Sequence, residues 1–490
     1  MRFLTRRYGD YYGFKIPDVL SCDNLPFKRQ NLETRKDRTF IDGNVLVLNR
    51  VNKLNARELV KAITDARTKY PDKMIYLPAF GLPNDYPILF YIGIDLLDDS
   101  PIKLLGNERC TSEFGIYEGS DCRIKNEEEK KRSIDLVRLS LAKDKFREVV
   151  ESHSFSNFSK EALRIMDMEF NSYTNKFMDY RPKSIIASNI EGIYRPEIVD
   201  FRERVQELKQ TADNLLLIPC SAIKPYSRSK THRILHSFIH PYLGGIQEVI
   251  VTSPLGLVPR ELESFFPAMY YDIPVTGYWF EEEKKVLYEL AKEYFSNKKY
   301  SNVFFILPKQ EGELLDLFDS SEGVTGSINF ENSEKLAKII SAHKIQGNKR
   351  SKESTEYSNL LRFFFDMDFP SNEISIKNEG NRRIISLAGV PILVRTISGM
   401  RIMKGLGDIM QSQGKRVVET GGIFKGDNLF IPGIKGITED VKPGMEVVLV
   451  NNGIAVGRGV SQISNLDLVF EKRGIGVNDV SYFDHNWNEL

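Results

Sequence analysis

Residues 214–232 read NLLLIPCSAIKPYSRSKTH, in which an apolar strand runs directly into a group of polar and reactive side chains. The run NLLLIP has the length and apolar character of a buried strand in an α/β sheet. A cysteine, Cys220, follows the strand at once. The cations, hydroxyls and aromatic ring that come next belong to Lys224, Tyr226, Ser229 and His232. Because ligands of open α/β sheets bind at the carboxyl ends of the strands, this segment predicts a catalytic site as well as a fold.

Predicted strands and helices alternate through residues 195–330. The strands NLLLIP, EVIVTSP and NVFFIL are separated by the helical segments THRILHSFIHPYL and EEEKKVLYELAKEYFS. This order predicts a parallel sheet covered by helices, which makes a three-layer α/β domain. The strand tips LIPCS, VTSPLG and DIPVTG carry Pro, Ser, Thr or Gly, and we expect all three to converge on one pocket.

Residues 1–185 predict a second α/β unit. The segments IDGNVLVLN, LNARELVKAITDARTKY and KMIYLPAF read as strand, helix and strand, which is the βαβ order of parallel strands. Residues 126–182 then read as charged helices, and no catalytic group stands out in this part of the chain.

The last third of the sequence has a different pattern of predicted elements. A helix is expected at about 331–345, and the polar run QGNKRSKESTEYS after it reads as a linker. From 373 onward, short predicted strands separated by glycine-containing turns predict small β-barrels. Between 381 and 426, eight Lys and Arg residues stand against only Asp408 and Glu419, so this stretch is locally basic.

Composition restricts the class of protein. The chain carries 68 Lys and Arg against 67 Asp and Glu, so bulk charge does not attract nucleic acid. No apolar run is long enough to span a bilayer, and the first residues lack the apolar core of a secretory signal. We therefore expect a cytoplasmic protein without a membrane partner. The cysteines are too few and too scattered for a disulfide framework and are expected to be reduced thiols: Cys22, Cys110, Cys122 and Cys220.

The segment VVETGGIFKGDNLFIPGI, residues 417–434, resembles a PUA domain, an RNA-binding pseudo-barrel found on tRNA and rRNA modification enzymes. The later segments PGMEVVLV and IAVGRG continue this resemblance. It implies RNA contact at the glycine turn and its flanks. The residues concerned are Lys415, Arg416, Gly421, Gly422 and Lys425.

The motif PCSAIKPYSRSKTH resembles the signature of archaeosine synthase, the archaeal relative of tRNA-guanine transglycosylase. The stretch TSPLGLVPRELESFFPAMYYDIPVTGYW resembles the same family, and YLPAFGLPNDYPILFYIGIDLLDD is similar to a degenerate transglycosylase barrel. The resemblance implies an α/β multidomain protein with four parts. These are a degenerate transglycosylase-like α/β barrel at 1–185, an α/β catalytic core at 195–330, a small α+β linker domain at 331–405 and a PUA β-barrel at 406–490.

The resemblance also implies chemistry on tRNA. The substrate would be 7-cyano-7-deazaguanine in the tRNA D-arm, whose nitrile takes up an amine to become an amidine. A thiolate is a suitable nucleophile for a nitrile, so Cys220 is expected to form a thioimidate intermediate. Free lysine is the favoured amine donor, glutamine or ammonia are alternatives, and a radical-SAM enzyme is the partner that would cleave a lysine adduct. We expect no cofactor, and a homodimer is left open.

Roles follow for the side chains around the thiol. Lys224 and His232 are expected to lower the pKa of the thiol. Tyr226 and Ser229 are expected to donate hydrogen bonds to the nitrile nitrogen as negative charge develops there. Asp272 is expected to orient or deprotonate the attacking amine. Substrate binding is expected from Ser221, Ser253, Pro254, Arg260 and Thr276.

Alternatives to this chemistry were weighed on the residues. Base exchange is disfavoured because the chain has no C-x-C-x-x-C zinc cluster, so residues 1–185 read as a scaffold or tRNA-docking domain. His232, His236 and His240 share one helical stripe, but no carboxylate or second cysteine completes a metal site. Nitrile reduction is disfavoured because no G-x-G-x-x-G follows a strand. A non-catalytic tRNA-binding partner is the competing function.

Overall fold

The computed structural model describes residues 9–11, 14–25, 39–187, 189–273, 278–396, 399–422 and 426–483. The chain forms two compact units, Met1–Asp179 with Ile463–Gly474 and Tyr180–Gln462 with Ile475–Leu490. The four domain boundaries implied by the resemblance stay predictions. Within the described ranges, no helix has both the length and the apolar character needed to cross a membrane.

The first unit is built on a small parallel sheet. Its strands and connecting helices are β1 (Gly9–Tyr11), β2 (Phe14–Ile16), β3 (Asp18–Leu20), β4 (Thr39–Asp42), β5 (Val45–Leu48), α1 (Ala56–Lys69), β6 (Met74–Tyr76), α2 (Tyr86–Ile92) and β7 (Leu96–Asp98). The sheet order is β3-β7-β6-β5-β4, and only β4 runs antiparallel to its neighbour. Parallel β5 and β6 joined by α1 confirm the predicted βαβ order. The closed barrel implied by the resemblance is not confirmed by this open strand order.

The predicted strand IDGNVLVLN consists of two strands in the structure. Gly43 has a φ of +59°, a conformation that glycine adopts without steric cost, and it lies in the turn between β4 and β5. Asp42 then pairs with Val45 across the hairpin. The following helix α1 begins with a capping box in which Asn55 and Glu58 each satisfy the other's backbone N–H.

The rest of the first unit is mostly helical, as predicted. Its elements are α3 (Ser100–Lys103), β8 (Arg109–Ser112), β9 (Gly115–Glu118), α4 (Cys122–Ala142), α5 (Phe146–Ser152), α6 (Asn157–Glu169) and α7 (Asn171–Asn175). A buried ion-pair network joins these helices. Arg147 on α5 donates to Glu151 at 2.6 Å, to Asp167 on α6 at 2.7 Å and to the hydroxyl of Tyr91 on α2 at 2.7 Å.

A disulfide corrects one prediction from the sequence. Cys110 on β8 and Cys122 at the start of α4 are bonded to each other, whereas all four cysteines were expected to be reduced. The β8–β9 hairpin returns the chain so that the two Cα atoms lie 4.6 Å apart, within bridging range. Spacing along the sequence does not reveal this proximity, because it depends on the hairpin. Cys22 and Cys220 are free thiols.

The second unit contains the predicted parallel α/β sheet. Its elements are β10 (Ile185–Ile186), α8 (Pro196–Gln206), β11 (Asn214–Pro219), α9 (Lys230–Ile239), β12 (Ile246–Thr252), β13 (Gly256–Pro259), β14 (Tyr271–Asp272), α10 (Glu281–Ser296), β15 (Asn302–Leu307) and β16 (Glu322–Thr325). The strand order is β13-β12-β11-β15-β16. β11 runs parallel to both β12 and β15, and only β13 is antiparallel. α9 packs against the helix that follows β16, and α8 packs against α10.

The predicted linker after this sheet is a helix. The chain continues as α11 (Phe330–Ala342) and α12 (Lys349–Phe365), so the polar run that begins at Gln346 enters a helix capped by Asn348. The first turns of α12 are polar and largely solvated, while Leu360, Leu361 and Phe363 near its end are buried. The prediction was wrong because the apolar residues that anchor this helix all lie towards its carboxyl end.

The carboxyl-terminal part of the chain consists of short strands, as predicted. Its elements are β17 (Ile374–Glu379), β18 (Arg382–Leu387), β19 (Val390–Thr396), β20 (Gly399–Ile402), α13 (Lys404–Gln413), β21 (Val417–Thr420), β22 (Asn428–Phe430), β23 (Ile434–Ile437), β24 (Glu446–Asn451), β25 (Ile454–Ser461), α14 (Asn465–Phe470) and β26 (Ile475–Tyr482). β17 to β20 form an antiparallel meander. The order β22-β26-β25-β24-β21-β23 forms a second sheet. One continuous apolar core joins these strands to the parallel sheet of the same unit.

The disulfide is testable by thiol counting. Denaturing the unreduced protein in iodoacetamide should label two cysteines, Cys22 and Cys220, and prior reduction should raise the count to four. Because the bridge closes a short loop, reduction should cost the first unit up to about 3 kcal/mol of stability. Intact mass gives the number of labels and peptide mapping gives their positions. Four labels without reduction would contradict the bridge.

Candidate active site

The candidate site lies at the carboxyl ends of three neighbouring parallel strands. Cys220 directly follows β11, and its backbone N–H donates to the carbonyl of Val251 on β12 at 3.1 Å. Thr252 ends β12, and Glu311 lies in the short 3₁₀ helix just beyond β15. The partly buried thiol of Cys220 therefore lies where strand ends meet, which confirms the predicted convergence of LIPCS and VTSPLG.

The third predicted tip, DIPVTG, belongs to a different sheet. Its first residue, Asp272, ends β14, which pairs only with β10 among the described strands. Asp272 is exposed, and its charge raises the pKa of Lys224, so the two side chains are electrostatically coupled. Thr276, expected to bind substrate, lies outside the described residues.

A buried chain of hydroxyl groups supports the thiol. The side chain of Thr252 hydrogen-bonds to Cys220 and lies 2.6 Å from the hydroxyl of Tyr271. The hydroxyl of Tyr271 in turn lies 2.8 Å from that of Tyr226. Burial raises the pKa of both phenols, so they stay neutral and can donate. The hydroxyl of Tyr226 is thus linked to the thiol through the hydroxyls of Thr252 and Tyr271, whereas a hydrogen bond to the nitrile nitrogen was expected of it.

Lys224 is held close to the same chain. Its ammonium group donates to the carbonyl of Tyr271 at 2.7 Å and lies 3.7 Å from the centre of that ring. Burial lowers the pKa of Lys224, while the charges of Cys220 and Asp272 raise it. Lys224 is the cation that lowers the pKa of the thiol, as predicted.

The net effect on the thiol is opposite to the prediction. Burial has the largest effect and raises the pKa of Cys220. The hydrogen bond with Thr252 comes next and lowers it, the charge of Glu311 raises it, the charge of Lys224 lowers it, and the net shift is upward. Removing water from around a thiolate costs more free energy here than one neighbouring cation returns. The resting thiol is therefore protonated at neutral pH, and its proton must be removed during reaction.

His232 does not supply the second cation. Its Nε2 lies 3.0 Å from the carbonyl of Pro219, so Nε2 carries the proton, and its Nδ1 accepts a hydrogen bond from Arg260 at 3.2 Å. Burial, together with the charge of Arg260, lowers the pKa of His232 to about 3. The imidazole is neutral, and its ring stacks on Tyr226 with 6.0 Å between centroids. It acts as a buried support, which corrects its expected role.

Ser229 has a structural partner. Its hydroxyl caps α9 by accepting from the backbone N–H of His232 at 3.2 Å, and it also lies 3.1 Å from the hydroxyl of Thr231. A serine one residue before a helix commonly fills this role. The cap holds the motif in place and leaves no evident contact with the nitrile.

Arg260 forms an ion-pair cluster beneath the site. Its guanidinium donates to Glu248 on β12 at 2.8 Å and to Glu263 at 2.8 Å, besides its bond to His232. His236 also reaches Glu248, at 2.7 Å. These contacts link β12 to the motif helix, so Arg260 is directed towards protein partners and not, as expected, towards substrate.

The other described residues that were predicted to bind substrate also form hydrogen bonds with groups of the protein itself. Ser221 donates to the carbonyl of Ile223 at 2.9 Å, and Ser253 donates to Glu283. The carbonyl of Pro254 accepts from Arg202. Their roles in substrate binding stay predictions.

The predicted RNA-binding residues lie at the start of β21 and just after it. Lys415 donates to Asp366 at 3.0 Å, and the side chain of Arg416 is buried. Gly421 and Gly422 follow β21, where the N–H of Gly421 donates to the carbonyl of Gly433 at 2.9 Å. Lys425 lies outside the described residues.

Glu311 is the functional group that sequence reasoning missed. It is buried to 5% exposure, Oε2 has no hydrogen-bond partner among the described residues, and burial raises the pKa of its carboxyl to about 8. Its charge acts on the pKa of Cys220, and a carboxyl that titrates near neutrality within electrostatic range of a protonated thiol is suited to carry a proton. The signal was available: NVFFIL is a third parallel strand next to β11, and Glu311 follows its carboxyl end.

Comparison with known proteins identifies the family. Residues 198–342 match a domain of unknown function, DUF5591, and residues 420–479 match the PUA domain. The archaeosine synthase subunit alpha of Thermoplasma acidophilum is 30% identical over 489 residues, covering 96% of this chain and 94% of that protein. This chain belongs to the archaeosine synthase family. The archaeosine synthase of Methanocaldococcus jannaschii is 28% identical over 491 residues, covering 92% and 82% of the two chains.

Two solved structures align with parts of this archaeosine synthase family member at TM-scores below 0.5. AF0587, a protein of unknown function, aligns with a TM-score of 0.45 and 20% identity, covering 58% of this chain and 99% of that one. A conserved PUA domain protein from Thermoplasma acidophilum aligns with a TM-score of 0.24 and 16% identity, covering 28% of this chain and 91% of that one.

The role of Arg260 can be tested by stability. Arg260→Met should lower the free energy of unfolding by about 3 kcal/mol, because Glu248 is left buried without its main cation. Urea unfolding measures the change. Arg233→Met, which removes an exposed arginine of the same helix region, should change stability by less than about 0.5 kcal/mol. If Arg260→Met left the free energy of unfolding unchanged and weakened substrate binding, the result would support the prediction from the sequence that Arg260 contacts the substrate.

The electrostatics of the thiol can be tested by alkylation against pH. In a Cys22→Ala background, Lys224→Met should move the alkylation profile of Cys220 to higher pH, because it removes the cation that stabilises the thiolate. Glu311→Gln should move the profile to lower pH, because it removes a charge that opposes the thiolate. Mass spectrometry of the labelled peptide gives the rates. Identical profiles for the two variants would refute the assignment.

Proposed function

We propose that this chain is a tRNA-modifying enzyme of archaeosine biosynthesis that converts the nitrile of 7-cyano-7-deazaguanine in the tRNA D-arm into an amidine. Membership of the archaeosine synthase family and the PUA match support action on tRNA. The observation that carries the chemistry is the free Cys220 thiol at the strand ends, within electrostatic range of a buried carboxyl that titrates near neutrality.

The first step is addition of the thiol to the nitrile carbon. The sulfur of Cys220 forms a bond to that carbon, one π bond of the nitrile breaks, and the nitrogen gains a proton to give a thioimidate. Glu311 takes the proton from sulfur and delivers it to nitrogen, because its pKa of about 8 leaves both protonation states accessible. The charge of Lys224 stabilises the transient thiolate.

The second step releases the sulfur. The amine adds to the thioimidate carbon, the carbon–sulfur bond breaks, and the proton lost by the amine returns to the thiol. The product is an amidine and the enzyme is regenerated without an oxidant, a reductant or ATP. The exposed carboxylate of Asp272 is the group we assign to orienting the amine, since solvent and the donor can reach it.

Free lysine is the amine donor we favour, with glutamine or ammonia as alternatives. A lysine adduct on the tRNA would require a separate enzyme to break a carbon–nitrogen bond, and a radical-SAM partner has the chemistry for that step. The homodimer that the sequence analysis left open stays a prediction.

Each part of the chain has an assigned task in this proposal. Residues 195–330 perform the chemistry and 406–490 bind RNA as a PUA domain. Residues 1–185, which contain the segment similar to a degenerate transglycosylase barrel, dock the tRNA, and residues 331–405 connect the two functional parts. The buried strand ends around Cys220 favour an enzyme over the competing function, a non-catalytic tRNA-binding partner, because a purely binding protein has no use for a supported thiol.

The proposal predicts a Cys220-dependent mass gain of the RNA. Mixing the protein with tRNA that carries the cyano-deazaguanine and with free lysine should add the mass of lysine to the tRNA. Cys220→Ala should abolish this gain, and Glu311→Gln should slow it by roughly 10²-fold or more, the usual contribution of a positioned acid or base. Mass spectrometry of the digested RNA measures the product.

The matched control is Cys22→Ala, which removes the other free thiol. It should react at the wild-type rate. Glutamine and ammonium chloride in place of lysine identify the donor. If the protein bound tRNA tightly but the tRNA gained no mass with any of the amines, the chain would be a non-catalytic tRNA-binding partner and not an enzyme.

A further inference from the structure

A cavity of the second unit is lined by residues other than Cys220 and the side chains around it. Its volume is about 200 Å³ and it is partly open to solvent. Aromatic side chains from two segments form much of its wall: Phe265, Phe266, Phe364 and Phe365. The lining also includes residues of β20 and β24 and the side chains of Arg204 and Arg416. It is therefore a largely aromatic cavity with a cation in its wall.

Arg416 is the unusual member of this lining. Its side chain is only 9% exposed, and none of the described residues accepts a hydrogen bond from its guanidinium. It stacks over Phe365 with 5.2 Å to the ring centre. Burial and the charge of Arg204 lower the pKa of Arg416 to about 10, against the charges of Tyr180, Asp440 and Asp366, which raise it, so the guanidinium is still charged at neutral pH. A buried cation without a hydrogen-bond acceptor is costly even where carboxylates act on it at longer range, and the cost falls when an anion binds to it directly.

The other cations of the cavity already have partners. Arg204 donates to Asp200 and, at 3.1 Å, to the carbonyl of Phe363. Arg401 is ion-paired with Glu446 at 3.4 Å and with Asp479 at 2.9 Å. Among the described lining residues, Arg416 is thus the guanidinium left for a ligand.

Aromatic walls and one unpaired arginine suit a planar ring that carries an anion. Bases of single-stranded RNA stack on aromatic side chains, and arginine binds their phosphates. The volume is below the roughly 300 Å³ at which ordinary ligand pockets begin, so the cavity holds about one ring system and excludes a duplex, while its opening to solvent lets the rest of a nucleotide extend outwards. We propose that this cavity binds one unstacked nucleotide of the tRNA, with its base against the phenylalanines and its phosphate on Arg416.

This inference rests on the proposed function for the presence of tRNA, and it adds a specific nucleotide pocket that Cys220 does not line. The same chemistry is offered by a free mononucleotide, so the test must separate the two sources. Binding is measured with unmodified tRNA transcript, which cannot react. The result is then independent of whether the nitrile chemistry is correct.

The first variant is Arg416→Met, which keeps the length of the side chain and removes its charge. It should weaken tRNA binding about tenfold and reduce the salt slope of log Kd by about 0.7, the value for one phosphate contact on a single strand. Its unfolding temperature should equal or exceed that of the wild type, because an unpaired buried charge has been removed. Arg233→Met, an exposed arginine of the same unit, should change neither quantity.

A second variant, Phe266→Leu, keeps the wall apolar and removes an aromatic face. It should weaken tRNA binding several-fold with little change in the salt slope, since stacking carries no charge. Unchanged tRNA binding in Arg416→Met would overturn the proposal, as would a lower unfolding temperature, which would make the arginine structural. A third outcome would assign the cavity to a free mononucleotide instead. In that case AMP or GMP would raise the unfolding temperature of the wild type but not of Arg416→Met, and the two proteins would bind tRNA with equal affinity.

Discussion

The parallel pairing of β11 with β12 on one side and β15 on the other is the constraint on which the site depends. Parallel strands bring their carboxyl ends to the same edge, so Cys220, Thr252 and Glu311 come to one edge of the sheet although they are far apart in sequence. The strands are buried almost throughout, which fixes their register and leaves only their ends for polar side chains. Any shift of β15 against β11 would separate the carboxyl from the thiol.

Burial, more than charge pairing, sets the chemistry of this site. The thiol, the carboxyl of Glu311 and the imidazole of His232 are all kept in their neutral forms by loss of water. A pre-formed thiolate is therefore not the basis of the proposed reaction. A protonated thiol near a carboxyl that titrates close to neutrality can pass its proton at the moment of attack. The cost of burying Oε2 of Glu311 without a hydrogen-bond partner among the described residues is consistent with a functional use for that carboxyl.

The motif around Cys220 divides into groups that face the reaction and groups that hold the others. Lys224 and the hydroxyl of Thr252 act on the thiol, and Ser229 and His232 hold the helix that follows. A motif read from sequence does not separate these two classes, because cap, support and catalyst use the same residue types. The separation needs hydrogen-bond partners, and one of these, Arg260, lies outside the motif.

The sequence by itself determined the βαβ order, the parallel central sheet, the family and the position of Cys220, because these depend on local periodicity and on contiguous motifs. Only the tertiary structure decided the disulfide between Cys110 and Cys122, the approach of Glu311 to the thiol and the unpaired state of Arg416. Each of these depends on residues brought together from distant segments. The protonation states follow from burial, and burial is a property of the packed chain rather than of any one segment.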